Sequence, residues 1–476
     1  MKIVLKTLIS ALAALALVVG LVVTFRAGGI PQVALRAAKS AVGAHTPVVA
    51  VASAPGRGLV GVRLEVEQDG RTYVIAKKTY RPLPPWAFFG VRTERDQVAA
   101  DIGPTTVPGL KEGEVRVRVV ADRPGTWLRR PSPAVSEIRL PVRLTPPPLA
   151  LLSSQHYVSQ GGSGVVVYRT GPSAAKDGVR AGAWFFPGSA LPDGGPHDRF
   201  ALFGVPWDLA DASQLRLLAE DDVGNRAELP FVDRFFPRPP ARTRIALDDA
   251  FMGRVVPEVQ NQTPGLEGGG TLLDSYLQIN RDLRKRNGEE LRDLSRRSAP
   301  QFLWSEAFLP LRNAKVESSF ADHRTYVYSG REVDQQFHLG FDLAVVERTP
   351  VPAANRGVVL LARYFGIYGN AVVLDHGYGL MSLYGHLSSV DVKEAQQVER
   401  GAILGRTGAT GLAGGDHLHF TTLVGGLPVN PKEWWDAHWI HDRVAAHLAA
   451  ALPFKEGAEA TRVVARPTRA RRRPNR

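Results

Sequence analysis

The sequence predicts a mainly β chain: an N-terminal transmembrane helix, two β-sandwich-like modules, a helical connector and a C-terminal β-sheet domain. Three observations predict it. Residues 7–25 carry no charged side chain. Between 45 and 240, short runs alternate apolar and polar residues, the period of a strand with one buried face. From residue 323 onward lie nine of the twelve histidines, again on short strand-like runs.

The N-terminus reads "MKIVLKTLISALAALALVVGLVVTFRAGG". Nineteen helical residues span about 28 Å, close to the roughly 30 Å of a bilayer core. Lys2 and Lys6 precede the apolar stretch. A cleavable signal has a shorter apolar stretch followed by small residues at the cut. Here the stretch runs into Phe25 and Arg26, so residues 1–26 read as an uncleaved single-pass anchor. Arg26, Arg36 and Lys39 follow it, and flanking charge therefore does not settle its orientation.

A chain of 476 residues exceeds one ordinary domain, and its 44% hydrophobic content is enough to bury cores. After a short linker, residues 45–145 read as a β-sandwich-like module. "LVGVRLEVEQDGRTYVIA" alternates Val60, Val62, Leu64 and Val66 with Gly61, Arg63 and Glu65, and Asp69-Gly70 marks a hairpin turn. "TPPPL" at 145–149 ends the module, and residues 147–240 form a second β-rich block closed by "FPRPPAR". "VRVVAD" (117–122) and "LRLLAE" (215–220) match in character, each before a turn. Units of about one hundred residues with short alternating strands fit tandem immunoglobulin-like sandwiches. Two unrelated β domains would fit as well. Neither block clusters catalytic residue types, so both read as spacers or binding modules.

Residues 241–304 form a linker and helical connector. "NQTPGLEGGG" precedes a run at 271–297 in which Leu273, Leu277, Leu283, Leu291 and Leu294 follow helical spacing. This helix packs on a neighbour or forms a movable cover for a downstream cleft. Residues 305–440 return to short strands, and 441–476 hold a C-terminal helix and a basic tail. The formal charge is +13, part of it in the tail "TRVVARPTRARRRPNR", which has seven arginines and no acid. The tail reads as a solvated end, or as a contact for an anionic wall polymer or membrane surface. No aromatic residues interleave with these arginines and there is no nucleic-acid-binding motif. The absence of cysteine excludes disulfides and cysteine-ligated zinc.

Three histidine segments remain. In "FHLGFDLA" (337–344), strand alternation puts His338, Gly340 and Asp342 on one face, and the glycine leaves room for an ion to approach. "GNAVVLDHGYGLMSLYGHLS" (369–388) reads as two strands around a turn, with His376 in the turn, where a structural role suffices, and His386 ending the second strand. In "GDHLHF" (415–420), His417 and His419 share a face, with Leu418 and Phe420 turned to the core.

In this order, "HLGFD", "LYGHL" and "HLHF" resemble the lysostaphin-type (LytM-like) zinc endopeptidases. The resemblance covers 315–432 and includes "GNAVVLDHG", "GRTGATGLAGGD" and "VNP". Ala321, Ser382 and the Gly415-Asp416 pair depart from the usual residues, and none removes a ligand. The resemblance implies a β-sheet peptidase domain with a narrow groove. It implies Zn2+ held by His338, Asp342 and His419, with His386 and His417 as the catalytic histidines. The chemistry agrees: two histidines and one carboxylate leave a tetrahedral position open, and zinc can lower the pKa of water to near 7. A free histidine can then serve as base, and a second can stabilise the oxyanion.

The expectation is a zinc metalloendopeptidase cutting cross-links or stems of bacterial peptidoglycan. It would be held in the cytoplasmic (inner) membrane, its catalytic domain facing the periplasm or cell wall. A catalytically silent LytM-like scaffold or activator of other cell-wall hydrolases is the alternative, and the intact set of five residues argues against it.

Overall fold

The structure, a computed structural model, describes residues 2–266, 268–452 and 454–455. The arginine-rich tail lies outside the described residues. The chain divides into two compact units. Of the described residues, one comprises those up to 147 with 173–176 and 219–227, and the other comprises 148–172, 177–218 and those from 228 to 455.

The first unit opens with helix Lys2–Phe25. Its segment Val4–Phe25 is long and apolar enough to cross a membrane. A two-sheet sandwich follows. One sheet runs Gln32–Ala37, Thr46–Ser53, Arg95–Ile102; the other runs Arg71–Thr79, Gly61–Gln68, Gly113–Asp122, Ala134–Val142. The alternation seen in the sequence sets which residues meet between the sheets: Val62, Leu64, Val66, Val117 and Val119 are buried together with Val48 and Ala50. Asp69 and Gly70 both take positive φ in the tight turn of the Gly61–Gln68/Arg71–Thr79 hairpin. Strand Gln32–Ala37 lies upstream of the first alternating run, within the stretch that reads as linker.

In the second unit, strands from the 148–240 region share one core with the C-terminal domain. Val165, Phe200 and Phe203 belong to the same buried cluster as Phe341, Tyr384, Phe420 and Trp434. A buried polar link adds to it: Glu433 accepts from the Ser163 backbone N–H at 2.8 Å, and Trp434 Nε1 donates to Ser163 Oγ at 3.1 Å. Burial pushes the Glu433 carboxyl up to about 7.

The connector holds more structure than its sequence shows. Strand Arg242–Leu247 pairs in parallel with Asp322–Tyr328. Helix Asp249–Gln262 follows, capped by the Asp248 side chain on the Phe251 N–H. Its sequence mixes Pro257 and polar residues with the buried Met252, Val255, Val256 and Val259, so tertiary packing decides it. The expected leucine helix runs as Leu272–Gln278, a π-turn Ile279–Leu283 and Arg284–Ser295, and Thr271 with Asp274 closes a capping box at its start. Leu291 and Leu294 pack on Val373, Leu383 and Leu423 of the sheet below. The helix is packed on a neighbour.

That sheet is the frame of the C-terminal domain. Its antiparallel order is Lys315–Ser318, Phe341–Ala344, Leu418–Val424, Leu380–Leu387, Asn370–Gly377, Gly357–Tyr364, Gln397–Val398, with Leu427–Val429 paired to Leu418–Val424. His376, which the sequence pattern places in a turn, is instead fully buried in strand Asn370–Gly377. Its Nδ1 lies 2.7 Å from the Arg356 carbonyl and its Nε2 lies 2.7 Å from Ser382 Oγ. Burial pushes this imidazole down to about 4. His376→Ala should cost about 2–4 kcal/mol, from a cavity plus two stranded polar partners, with His338, Asp342 and His419 left in place. The sign with pH is fixed. A neutral buried histidine contributes stability that is present above its unfolded value, 6.5, and is lost as pH falls through about 4. The difference in melting temperature between wild type and variant should therefore be largest at pH 7 and shrink on acidification, as read by scanning calorimetry.

Candidate metal centre

Strand pairing brings the five candidate residues together. Asp342 pairs with His419, and Gly385, beside His386, pairs with His419 from the other side. His338 ends strand Arg331–His338, opposite Asp322. His417 bridges Gly408 just before strand Leu418–Val424. Leu418 and Phe420 are buried on the opposite face, as the alternation requires.

"FHLGFDLA" is not one strand. The chain leaves one sheet after His338 and joins the large sheet at Phe341. The step at Leu339-Gly340 turns His338 toward Asp342. Glycine is needed here for a different reason than room for an ion. A Cβ at residue 340 would lie 2.5 Å from His419 Nε2 and 2.6 Å from Thr421 Oγ1. Gly340→Ala should push the His419 ring from its place and lower zinc affinity about 10–100-fold, the scale for losing an outer partner of a metal ligand. Competition with a chromophoric chelator measures this, and circular dichroism should show the fold retained.

His338 Nε2, Asp342 Oδ1 and His419 Nδ1 form a triangle with edges of 2.9, 3.0 and 3.1 Å. Among the described residues they are the group able to hold a metal ion. Each ring is tethered outward. His338 Nδ1 donates to the Ser319 carbonyl at 3.2 Å, and His419 Nε2 lies 2.9 Å from Thr421 Oγ1. With the outward nitrogens protonated, both inward nitrogens present lone pairs. Arg324 Nη2 holds the other Asp342 oxygen, Oδ2, at 2.8 Å, leaving Oδ1 facing the two imidazoles. Two neutral imidazoles and one carboxylate, each oriented from outside, fit Zn2+ with a position open for reaction.

His386 and His417 stand beside this triangle, their ring centroids 4.8 Å apart. His386 has φ +62, a conformation rare for a residue with a side chain, and sits in a bulge where Gly385-His386 adds one residue to its strand. The bulge aims the ring at His417. His386 Nδ1 donates to the Thr410 carbonyl and His417 Nδ1 to the Gly415 carbonyl, both at 2.8 Å. This leaves His386 Nε2 to accept a proton, while His417 Nε2 faces Asp342 Oδ1 at 3.4 Å. Burial holds His386 well below the usual histidine range, with His417 and His419 adding to the effect. Burial lowers His417 too, but its hydrogen bond to Asp342 outweighs this and raises it. All four histidines are buried.

The five residues line a cavity of about 100 Å³ together with Arg284, Arg324 and Tyr368. It adjoins a cleft of about 470 Å³ walled in part by Tyr276, Asn280 and Arg284 of the connector. The connector therefore forms one side of the approach. Arg324 and Thr421 are site residues that the sequence motifs do not single out. A signal for Thr421 exists, because the alternation His417, His419, Thr421 continues along one face. For Arg324 there is none, since only the strand pairing brings it to Asp342, 18 residues away. Ala321, at a position where the resembling family often has glycine, takes φ +63, the left-handed region that glycine enters freely.

Residues 336–431 match Peptidase family M23. Peptidoglycan DD-endopeptidase ShyA of Vibrio cholerae is 29% identical over 251 residues, 52% of this chain and 51% of that protein. DD-carboxypeptidase/endopeptidase Mpg of Neisseria meningitidis is 41% identical over 96 residues, 20% of this chain and 22% of that protein. The chain thus spans about half or less of the length of these curated relatives. The solved catalytic domain of lysostaphin from Staphylococcus simulans is 27% identical, with a TM-score of 0.23, over 26% of this chain and 92% of that one.

Proposed function

We propose that this chain is a zinc metalloendopeptidase that hydrolyses peptide bonds in the cross-links or stems of bacterial peptidoglycan. It is held in the cytoplasmic membrane by residues 1–26, with its catalytic domain on the wall side. One observation carries the reading: a His-Asp-His triangle with inward lone pairs stands in the same cavity as two further imidazoles tethered by their Nδ1–H groups. The match to Peptidase family M23 and relatives named peptidoglycan DD-endopeptidases supports the substrate class.

In this mechanism His338, Asp342 and His419 hold the ion. Zinc supplies Lewis acidity there, making water acidic enough to attack at neutral pH. The protein's side chains do the rest. Arg324 and Thr421 fix the ligand orientations. Of His386 and His417, one takes the proton of the attacking water, and the other faces the carbonyl oxygen as it gains negative charge. The proton then passes to the leaving amine. The adjoining cleft admits an extended peptide.

The test is digestion of purified sacculi followed by mass spectrometry of the soluble fragments. Fragments bearing new amino and carboxyl ends at one stem or cross-link bond are expected. Sacculi left intact by zinc-loaded protein that cleaves glycine-rich peptides would move the substrate to proteins. Inactivity on both would leave the scaffold alternative. Protease added to intact spheroplasts should digest the bulk of the chain, and full protection would refute the wall-side orientation.

A further inference from the structure

In the first unit, two loops carry apolar side chains that no fold requires outside. Loop 80–94 exposes Trp86, Phe88, Phe89 and Val91, with Phe89 92% and Val91 100% accessible. Loop 123–133 exposes Trp127 and Leu128, with Trp127 77% accessible. Both loops are fastened to the end of the apolar helix. Arg26 stacks on Phe88 at 4.0 Å and donates from Nη1 to the carbonyls of Pro85 and Ala87 at 3.0 and 2.8 Å. Thr126 Oγ1 donates to the Thr24 carbonyl at 2.6 Å, and the Gly28 N–H donates to the Pro124 carbonyl at 2.8 Å. Arg57, a buried residue, ties the Arg26 and Gly125 carbonyls together at 2.9 Å each. The Thr24 and Phe25 carbonyls at the end of the helix thereby find donors in loop 123–133, from Thr126 Oγ1 and Arg129 Nη1, as a helix end at a membrane surface requires.

We propose that loops 80–94 and 123–133 seat the first module in the interfacial layer of the bilayer, a surface that rests on the reading of residues 1–26 as a membrane anchor. The fastened junction leaves the aromatic side chains at the level where the helix leaves the hydrocarbon. Trp and Phe on an apolar tip beside a span are the side chains that favour the headgroup boundary. Charge complements this placement: the two loops hold five arginines and one acid, Glu94, and Arg81, Arg129 and Arg130 are exposed to reach anionic lipid. A bilayer covers such a patch, which would otherwise present a large apolar area to water. The consequence is that the first module stands at a fixed height and tilt on the membrane, where a free tether would let it swing.

The chain contains no cysteine, so single cysteines give unique labels on the full-length protein. Leu12→Cys, Phe89→Cys, Trp127→Cys and Arg71→Cys are spin-labelled and reconstituted in vesicles of phosphatidylcholine with phosphatidylglycerol. Arg71 is exposed at the far end of the Arg71–Thr79 strand, about 25–30 Å from loop 80–94. Collision with a water-soluble nickel complex and with oxygen reports depth. Labels at 89 and 127 should meet nickel about tenfold less often than the label at 71, and the label at 12 should be deepest. Equal nickel access at 89, 127 and 71, with 12 still deep, overturns the seating and leaves the anchor standing. A water-exposed label at 12 overturns both. Protection at 89 that grows with protein density at fixed lipid makes the patch a self-association surface and overturns the lipid assignment.

Discussion

His419→Ala should lose zinc and peptide hydrolysis together. His419 Nδ1 is one corner of the triangle with His338 Nε2 and Asp342 Oδ1, at 3.1 and 3.0 Å. Its removal leaves one imidazole and one carboxylate, too few for a hydrolytic zinc site. The affinity loss should exceed the roughly 10–100-fold typical of losing an outer partner, so the purified variant should carry little metal by plasma mass spectrometry. His338→Ala and Asp342→Ala should behave alike. The fold should survive, because the strand carrying His419 is held by Leu418, Phe420 and Leu423 in the core. A His419→Ala protein with full zinc would place the metal elsewhere.

His417→Ala should present the opposite pattern: zinc retained near one per chain, hydrolysis lost. His417 stands two residues from His419 on the same face, yet its Nε2 lies 3.4 Å from Asp342 Oδ1, outside the tight triangle. Its Nδ1 is committed to the Gly415 carbonyl and its Nε2 stands outside the group that can hold the ion, which leaves that nitrogen to serve a proton. General acid–base help is worth about 10²–10⁴ in rate, and kcat should fall by that factor with little change in metal content. His386→Ala should match it, since its ring faces the same space from the bulged strand. Stopped-time digestion of a soluble cross-linked fragment, beside metal analysis, reads both. Wild-type rates in both variants would remove His417 and His386 from the proton-transfer roles.

The periodic parts of the site are legible in the sequence. Alternation places His417 and His419 on one face and Leu418 and Phe420 on the other, and the mainly β architecture follows from the same period. The parts that depend on distant pairing are not legible. Asp342 and His419 are 77 residues apart and meet through one antiparallel register. The sheet change at Leu339-Gly340 keeps the strand pattern on both sides, so nothing local marks it. The bulge at His386 hides inside an ordinary alternating run, and only its positive φ reveals how the ring is aimed. Helix Asp249–Gln262 carries an internal proline and a polar composition, and it exists because four of its side chains fill a pocket of the neighbouring sheet and helix. His376 has the pattern of a turn residue because glycines follow it, whereas the strand runs through it to Gly377.

In the proposed mechanism His338, Asp342 and His419 hold one zinc ion while His386 and His417 do not. Diffraction from zinc-loaded crystals, recorded just above and just below the zinc absorption edge, tests it most directly. A single anomalous peak per chain is expected within bonding distance of His338 Nε2, Asp342 Oδ1 and His419 Nδ1, with the nitrogens of His386 and His417 outside that distance. A peak bonded to His386 or His417 in place of one of the three, or no zinc peak in this cavity, would contradict it.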